Sequence, residues 1–118
     1  MSLVGVSLII LIVVQGLHLY EEVKQDFRRK LPVGEMPKEV FVAANIIVFA
    51  FAIVTLCMAQ AEMAAGFVMA WIFGIGMVLN GCVHIGMMIY KRAYFPGGVT
   101  APLVLLAAVN LVYRLWVG

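Results

Sequence analysis

Four long apolar stretches constrain this chain more than any other feature of its sequence. Each is about 20 residues long, the length that an α-helix needs to cross the hydrocarbon core of a bilayer. None shows the short apolar–polar alternation of membrane β-barrel strands. The backbone N–H and C=O groups must therefore be hydrogen-bonded within α-helices. The stretches predict helices over residues 3–29, 38–60, 62–91 and 99–117.

Composition places these stretches in one membrane domain. Apolar residues make up 65% of the 118 residues and charged residues only 12%, whereas charged residues make up about 25% of a soluble domain. The mean hydropathy is +1.11. A net charge of +2 offers no broad basic surface, so we expect no nucleic-acid partner. The predicted fold is all-α: a four-helix transmembrane bundle in which residues 1–118 form a single domain within the lipid bilayer.

The basic residues predict how the bundle lies in the membrane. Seven of the eight Lys and Arg residues fall in the first and third connections, and Arg114 lies near the opposite side. Because basic connections tend to stay in the cytoplasm, both termini are predicted on the non-cytoplasmic side. The seven residues are Lys24, Arg28, Arg29, Lys30, Lys38, Lys91 and Arg92.

Polar side chains from three predicted helices lie at one depth in the membrane. Counted from the nearest Lys at the cytoplasmic end of its helix, His18 lies six residues in, and Asn45 and His84 lie seven residues in. At 1.5 Å per residue, each is about 9–10 Å from the boundary. An unpartnered polar group is costly in hydrocarbon, so we expect these side chains to face one another inside the bundle.

Helical spacing adds two carboxylates and a second amide to this layer. Glu21 and Glu22 follow His18 by three and four residues. Asn80 precedes His84 by four residues. Side chains at these spacings share one helix face, and two imidazoles with a carboxylate suit Zn²⁺, Fe²⁺ or Mn²⁺.

We therefore predict a site for a divalent metal ion (Zn, Fe or Mn) in this layer. Its predicted ligands are His18, Glu22 and His84. The candidate catalytic residues are Glu21 and Glu22, one carboxylate completing the ligand set and the other acting as a general base. Asn45 and Asn80 would orient the imidazoles from outside the ligand set.

The leading hypothesis is a metal-dependent membrane hydrolase or oxidoreductase acting on a lipid or another apolar small molecule. Two alternatives stay open. A proton-coupled transporter or carrier would use the same groups to relay protons. A non-catalytic membrane subunit would use the polar layer only to hold helices together, at about 1 kcal/mol per contact. The small-residue face of Gly66, Ala70 and Gly74 is the candidate contact for a homo-oligomer or a larger membrane complex.

Three segments together carry a resemblance to a known family. HLYEE (18–22) has the form H-x-x-E-E, NGCVH (80–84) follows in the third helix, and YFPG (94–97) leads into the last helix. With these segments in order, the sequence resembles the HXXEE-domain family of small bacterial integral membrane proteins. The resemblance implies a multi-pass location in a bacterial inner membrane. It also implies that the signature positions of the family are, in this chain, His18, Glu21, Glu22, Asn80 and His84. The family is defined by its motif, so the resemblance supports the choice of residues and implies no reaction.

Overall fold

The structure, a computed structural model, describes residues 2–118. Within this range the chain forms four α-helices and no β-strand, which confirms the predicted all-α fold. The helices are α1 (Leu3–Lys24), α2 (Lys38–Gln60), α3 (Ala64–Lys91) and α4 (Ala101–Val117), and a short 3₁₀ helix spans Phe27–Arg29.

The outer surface of the bundle suits a bilayer. Among residues 2–118, three helices (α1, α2 and α3) are long and apolar enough to cross a membrane. The fourth, α4, is apolar but has only 17 residues, a length of about 26 Å at 1.5 Å per residue. Large apolar side chains point outward on several helices, among them Ile47, Leu79 and Leu106. Such a surface would be unfavourable in water and is ordinary in lipid.

The helices are arranged so that α4 packs between α1 and α3, while α2 packs mainly on α3 and more loosely on α1. The apolar core is formed by the N-terminal halves of α1 and α3, the C-terminal half of α2 and the middle of α4. It contains Leu8, Leu11, Ala52, Ala70, Phe73, Ala108 and Leu111. Among the described residues, one hydrogen bond joins two helices in this region. The Asn110 amide donates to Ser7 Oγ at 2.9 Å.

The small-residue face of α3 is used inside the chain. A Cβ added at Gly66 would lie 2.5 Å from the backbone nitrogen of Ala59, and one at Gly74 would lie 3.0 Å from Val112. Ala70, between them, is completely buried. This face therefore lets α3 lie close to α2 and α4 of the same chain. A contact of this face with a second copy or a larger membrane complex stays a prediction.

The first helix is shorter than predicted. It ends at Lys24, whereas the sequence predicted a helix to residue 29. Asp26 then adopts a left-handed conformation with φ of 56°, which Asp tolerates better than most residues. The chain turns there, and the 3₁₀ helix that follows brings Phe27 back against the end of the bundle. The third and fourth helices each begin two residues later than predicted.

Candidate metal centre

Two histidines and a glutamate converge at one end of the bundle. His18 and Glu22 lie one turn apart on α1, and His84 faces them from α3. The two imidazole Nε2 atoms are 3.2 Å apart. Glu22 Oε2 lies 3.8 Å from His18 Nε2 and 3.4 Å from His84 Nε2. All three side chains are buried, and we call this group the His–Glu cluster.

The outer nitrogen of each imidazole is held by an acceptor. His84 Nδ1 lies 2.9 Å from the carbonyl oxygen of Pro96; since a carbonyl only accepts, His84 donates from Nδ1. His18 Nδ1 lies 2.8 Å from Thr100 Oγ1. The Thr100 hydroxyl itself donates to Glu21 Oε1 at 2.7 Å, so His18 also donates from Nδ1. Each Nε2 atom therefore keeps a lone pair, and both lone pairs point into the cluster.

Three acceptor atoms therefore face one another in a buried space. Two nitrogen lone pairs and a carboxylate oxygen repel each other at these distances unless a cation or a shared proton lies between them. For a tetrahedral ion with bonds of about 2.0–2.1 Å, neighbouring ligand atoms are about 3.3 Å apart, and for an octahedral ion with the same bonds about 2.9 Å. The observed separations of 3.2, 3.4 and 3.8 Å lie nearer the tetrahedral value.

Glu21 points away from this group and holds the start of α4. Its carboxylate accepts hydrogen bonds from the backbone N–H groups of Val99, at 3.0 Å, and Thr100, at 2.8 Å. It also accepts from the Thr100 hydroxyl and from the phenol of Tyr94. A carboxylate at a helix N-terminus satisfies free N–H groups and interacts favourably with the helix dipole. Glu21 thus ties α1 to α4 and, through Thr100, orients the His18 ring.

Tyr94 completes this hydrogen-bonded chain at the surface. The side chain is half exposed, and its hydroxyl donates to Glu21. Partial burial, and then the contact with the Glu21 carboxylate, raise the pKa of the Tyr94 phenol to about 12. Tyr94 therefore remains a hydrogen-bond donor throughout the neutral pH range. A continuous chain of polar contacts runs from buried His18 through Thr100 and Glu21 to this exposed phenol.

Aromatic rings and a glycine shape the space around the imidazoles. Phe27 and Phe95 lie against His84, with ring centroids 5.3 and 5.6 Å away. Gly97 passes so close that a Cβ there would lie 2.5 Å from His84 Cε1 and 2.7 Å from His18 Cε1. Its φ of 92° also lies in the region that favours glycine. The turn that closes the site accordingly requires glycine at this position.

The two predicted orienting amides lie outside the imidazole contacts. Asn45 donates to the Phe41 carbonyl of its own helix at 2.9 Å, and the Asn80 amide lies 4.0 Å from Met77 Sδ. The groups that do hold the imidazoles are Thr100 and the Pro96 carbonyl. Neither Thr100 nor Pro96 was predicted from the sequence to have a role in the site. The available signal was a hydroxyl at the start of α4, directly after a Pro-Gly turn.

The structure thus brings together the three predicted ligands His18, Glu22 and His84, and places Glu21 beside them in a structural contact. Comparison with known proteins adds one positive finding: a family described as proteins of unknown function with an HXXEE motif matches residues 9–112. No curated protein and no solved structure matches the chain. The matched range contains all of the residues that build the site. The chain therefore belongs to the HXXEE family, and HLYEE at 18–22 is its copy of the motif.

Proposed function

We propose that this protein is a metal-dependent membrane enzyme that hydrolyses a lipid or another apolar substrate. The observation that carries the proposal is the convergence of His18 Nε2, His84 Nε2 and Glu22 Oε2, three acceptors buried within 4.8 Å of one another. Both outer nitrogens are committed to acceptors, so the cluster is complementary to a cation. The separations favour a tetrahedral ion such as Zn²⁺.

The number of protein ligands supports catalysis over a purely structural ion. Structural zinc sites are closed by four protein ligands, whereas catalytic sites use three and leave one position for water or substrate. Two histidines and one glutamate make a three-ligand set. Glu22 also lines a cleft of about 270 Å³ at the membrane edge, together with Asp26, Arg28 and Lys38. This cleft would give water a route to the cluster.

Each part of the site has a role in this proposal. A divalent ion would supply Lewis-acid activation of water for attack on a carbonyl. Thr100 and the Pro96 carbonyl would hold the imidazoles in the tautomer that leaves Nε2 free, as acceptors next to metal-bound histidines commonly do. Glu21, with its four hydrogen bonds, acts here as a positioning residue, a change from the general-base role that the sequence suggested. An oxidoreductase with Fe²⁺ would use the same two histidines and carboxylate.

Metal content tests the proposal directly. Protein purified in detergent without chelator is expected to contain close to one equivalent of a transition metal, and Glu22→Gln and the double variant His18→Ala/His84→Ala are expected to contain none. Glu39→Gln is the matched control, since Glu39 is exposed on the first turn of α2. Wild-type protein that remains metal-free after incubation with Zn²⁺ or Fe²⁺ would exclude the proposed reaction.

A second candidate function rests on a different observation. The chain His18–Thr100–Glu21–Tyr94 links a fully buried imidazole to an exposed phenol through hydrogen bonds. Such a chain suits a proton relay, and a metal-free cluster sharing one proton between two imidazoles would then serve proton-coupled transport. Proton flux in liposomes that requires His84 but is insensitive to chelators would favour this function over the enzyme.

A further inference from the structure

A second space lies beside the His–Glu cluster and is partly open to the surroundings of the bundle. It has a volume of about 310 Å³, is bordered by α1, α2 and α3, and has Glu22 in its wall. Three carboxamide side chains also line it, one from each helix: Gln15, Asn45 and Asn80. The other lining side chains are apolar. We call this space the chamber.

Gln15 is the group in the chamber that lacks a partner. The residue is only 4% exposed, and its Oε1 accepts no hydrogen bond from any residue in the range 2–118. A buried carbonyl without a donor is unfavourable, above all in a membrane. Asn80 is also weakly engaged, since its amide nitrogen lies 4.0 Å from a thioether sulfur, a poor acceptor. The wall of the chamber thus includes a weakly engaged donor and an unpaired acceptor, which a bound molecule reaches when the Gln15 amide turns toward the chamber.

The wall of the chamber selects an uncharged molecule. Its described lining contains no Lys or Arg, and its one ionisable side chain is the Glu22 carboxylate. Without a metal ion at Glu22, an anionic head group would face that carboxylate with no cation in the described lining to balance it. An occupant must also donate to Gln15 Oε1, so it needs a hydroxyl or an amide N–H.

An apolar groove extends from the chamber to the lipid. The groove lies between α2 and α3, has a volume of about 260 Å³, and shares Val48 and Met77 with the chamber. Ile47 and Ile72, on its outer side, are 67% and 59% exposed. Ligand pockets usually have volumes of about 300–1,000 Å³, so the chamber fits a small head group while an attached acyl chain lies in the groove.

We propose that the chamber binds the head of a neutral single-chain lipid that carries a hydroxyl or amide N–H next to its acyl carbonyl, as in a monoacylglycerol or an N-acyl amide. The donor of the lipid bonds to Gln15 Oε1, and Asn80 donates to the lipid. Because Glu22 lines the same chamber, the acyl bond and the His–Glu cluster then border one space. Hydrolysis there adds water across that bond: the acyl carbon gains the hydroxyl, and the departing oxygen or nitrogen gains the proton.

This assignment of a substrate class rests on the metal-dependent enzyme proposed above, but binding can be measured apart from metal content. The probes are three molecules with the same oleoyl chain: the monoacylglycerol, the methyl ester, which lacks a donor, and the free fatty acid, which is an anion. Affinity is measured in detergent for the wild type, both metal-loaded and treated with chelator. The variant is Gln15→Leu, and its control is Thr55→Val, a buried polar group that bonds only to its own helix at Phe51.

The monoacylglycerol is expected to bind the wild type about tenfold more tightly than the methyl ester, as one additional hydrogen bond provides. Gln15→Leu is expected to remove this preference while leaving the metal content unchanged, and Thr55→Val to keep it. If Gln15→Leu does not fold, the affinities of the three probes for the wild type still test the assignment. In chelator-treated protein, equal affinity for all three, or a preference for the fatty acid, overturns the assignment, whether or not the untreated protein holds metal. A monoacylglycerol preference in protein that never takes up metal supports the chamber and contradicts the enzyme.

Discussion

Gly97 is the residue on which the two imidazoles depend for space. A methyl group at this position would lie 2.5 Å from His84 Cε1 and 2.7 Å from His18 Cε1, closer than real contacts allow. We predict that Gly97→Ala displaces the rings and abolishes the metal binding proposed above. Gly34→Ala is the control, because Gly34 also has a positive φ, of 124°, but has open space around it. Both substitutions strain the backbone, so only the contact with the imidazoles distinguishes them.

Elemental analysis of the two purified variants measures this difference. Gly34→Ala is expected to hold as much metal as the wild type. Retention of metal by a folded Gly97→Ala protein would show that the imidazoles do not occupy the positions described above.

Thr100 links two side chains that do not otherwise meet. Its hydroxyl accepts from His18 Nδ1 and donates to Glu21 Oε1. Thr100→Val keeps the shape and removes both hydrogen bonds. We expect metal affinity to fall about 10–100-fold, the usual effect of losing a group that orients a metal-bound histidine. Competition with a metallochromic chelator measures the affinity. Thr55→Val serves as the control, and an unchanged affinity in Thr100→Val would contradict the role assigned to the hydroxyl.

At the scale of secondary-structure elements, the end of α1 decides how the site is closed. Asp26 has a φ of 56°, and the turn that it makes places Phe27 5.3 Å from the His84 ring. A left-handed conformation costs a residue with a Cβ about 1–2 kcal/mol, and β-branched residues are the least tolerant. We predict that Asp26→Val lowers the free energy of unfolding and that Asp26→Gly preserves or increases it, with about 1–2 kcal/mol between the two variants.

Unfolding in mixed micelles, followed by circular dichroism, compares the two variants. The substitutions share the loss of a carboxylate, so the difference between them reports backbone conformation. Equal stability of the valine and glycine variants would indicate that α1 continues past Lys24, as its sequence predicted.

The helices and the loops between them differ in how far the sequence predicts them. Apolar length determines the helices of a membrane protein, so their number and most of their bounds were predicted from composition along the chain. The two histidines and Glu22 were found because helical spacing and depth place them together. Helix 1 was predicted to be too long because charged residues after Lys24 are compatible with a helix, and only the tertiary contact of Phe27 favours the turn. Thr100 and Pro96 were missed because a loop folding back onto α1 leaves no periodic pattern.

At the scale of the whole molecule, the side of the membrane on which the C-terminus lies depends on whether α4 crosses the bilayer. The other three helices in residues 2–118 meet the length of a membrane span, whereas α4 has 17 residues, the lower end of the range of about 17–25 residues that spans need. If α4 crosses, the number of crossings is even and the termini lie on one side; if it lies along the interface, they lie on opposite sides. Its packing between α1 and α3 and its partly buried hydrogen bond to Ser7 favour a crossing.

We therefore predict that both termini lie on the non-cytoplasmic side, opposite the connections that carry seven of the eight Lys and Arg residues. Alkaline phosphatase, which is active only outside the cytoplasm, is expected to be active when fused after Gly118. The same reporter inserted at Val33, which is 94% exposed in the first connection, is expected to be inactive and serves as the control. Activity at Val33 alone would reverse the orientation. Inactivity at both positions would leave α4 on the cytoplasmic surface and open the His–Glu cluster to water from that side.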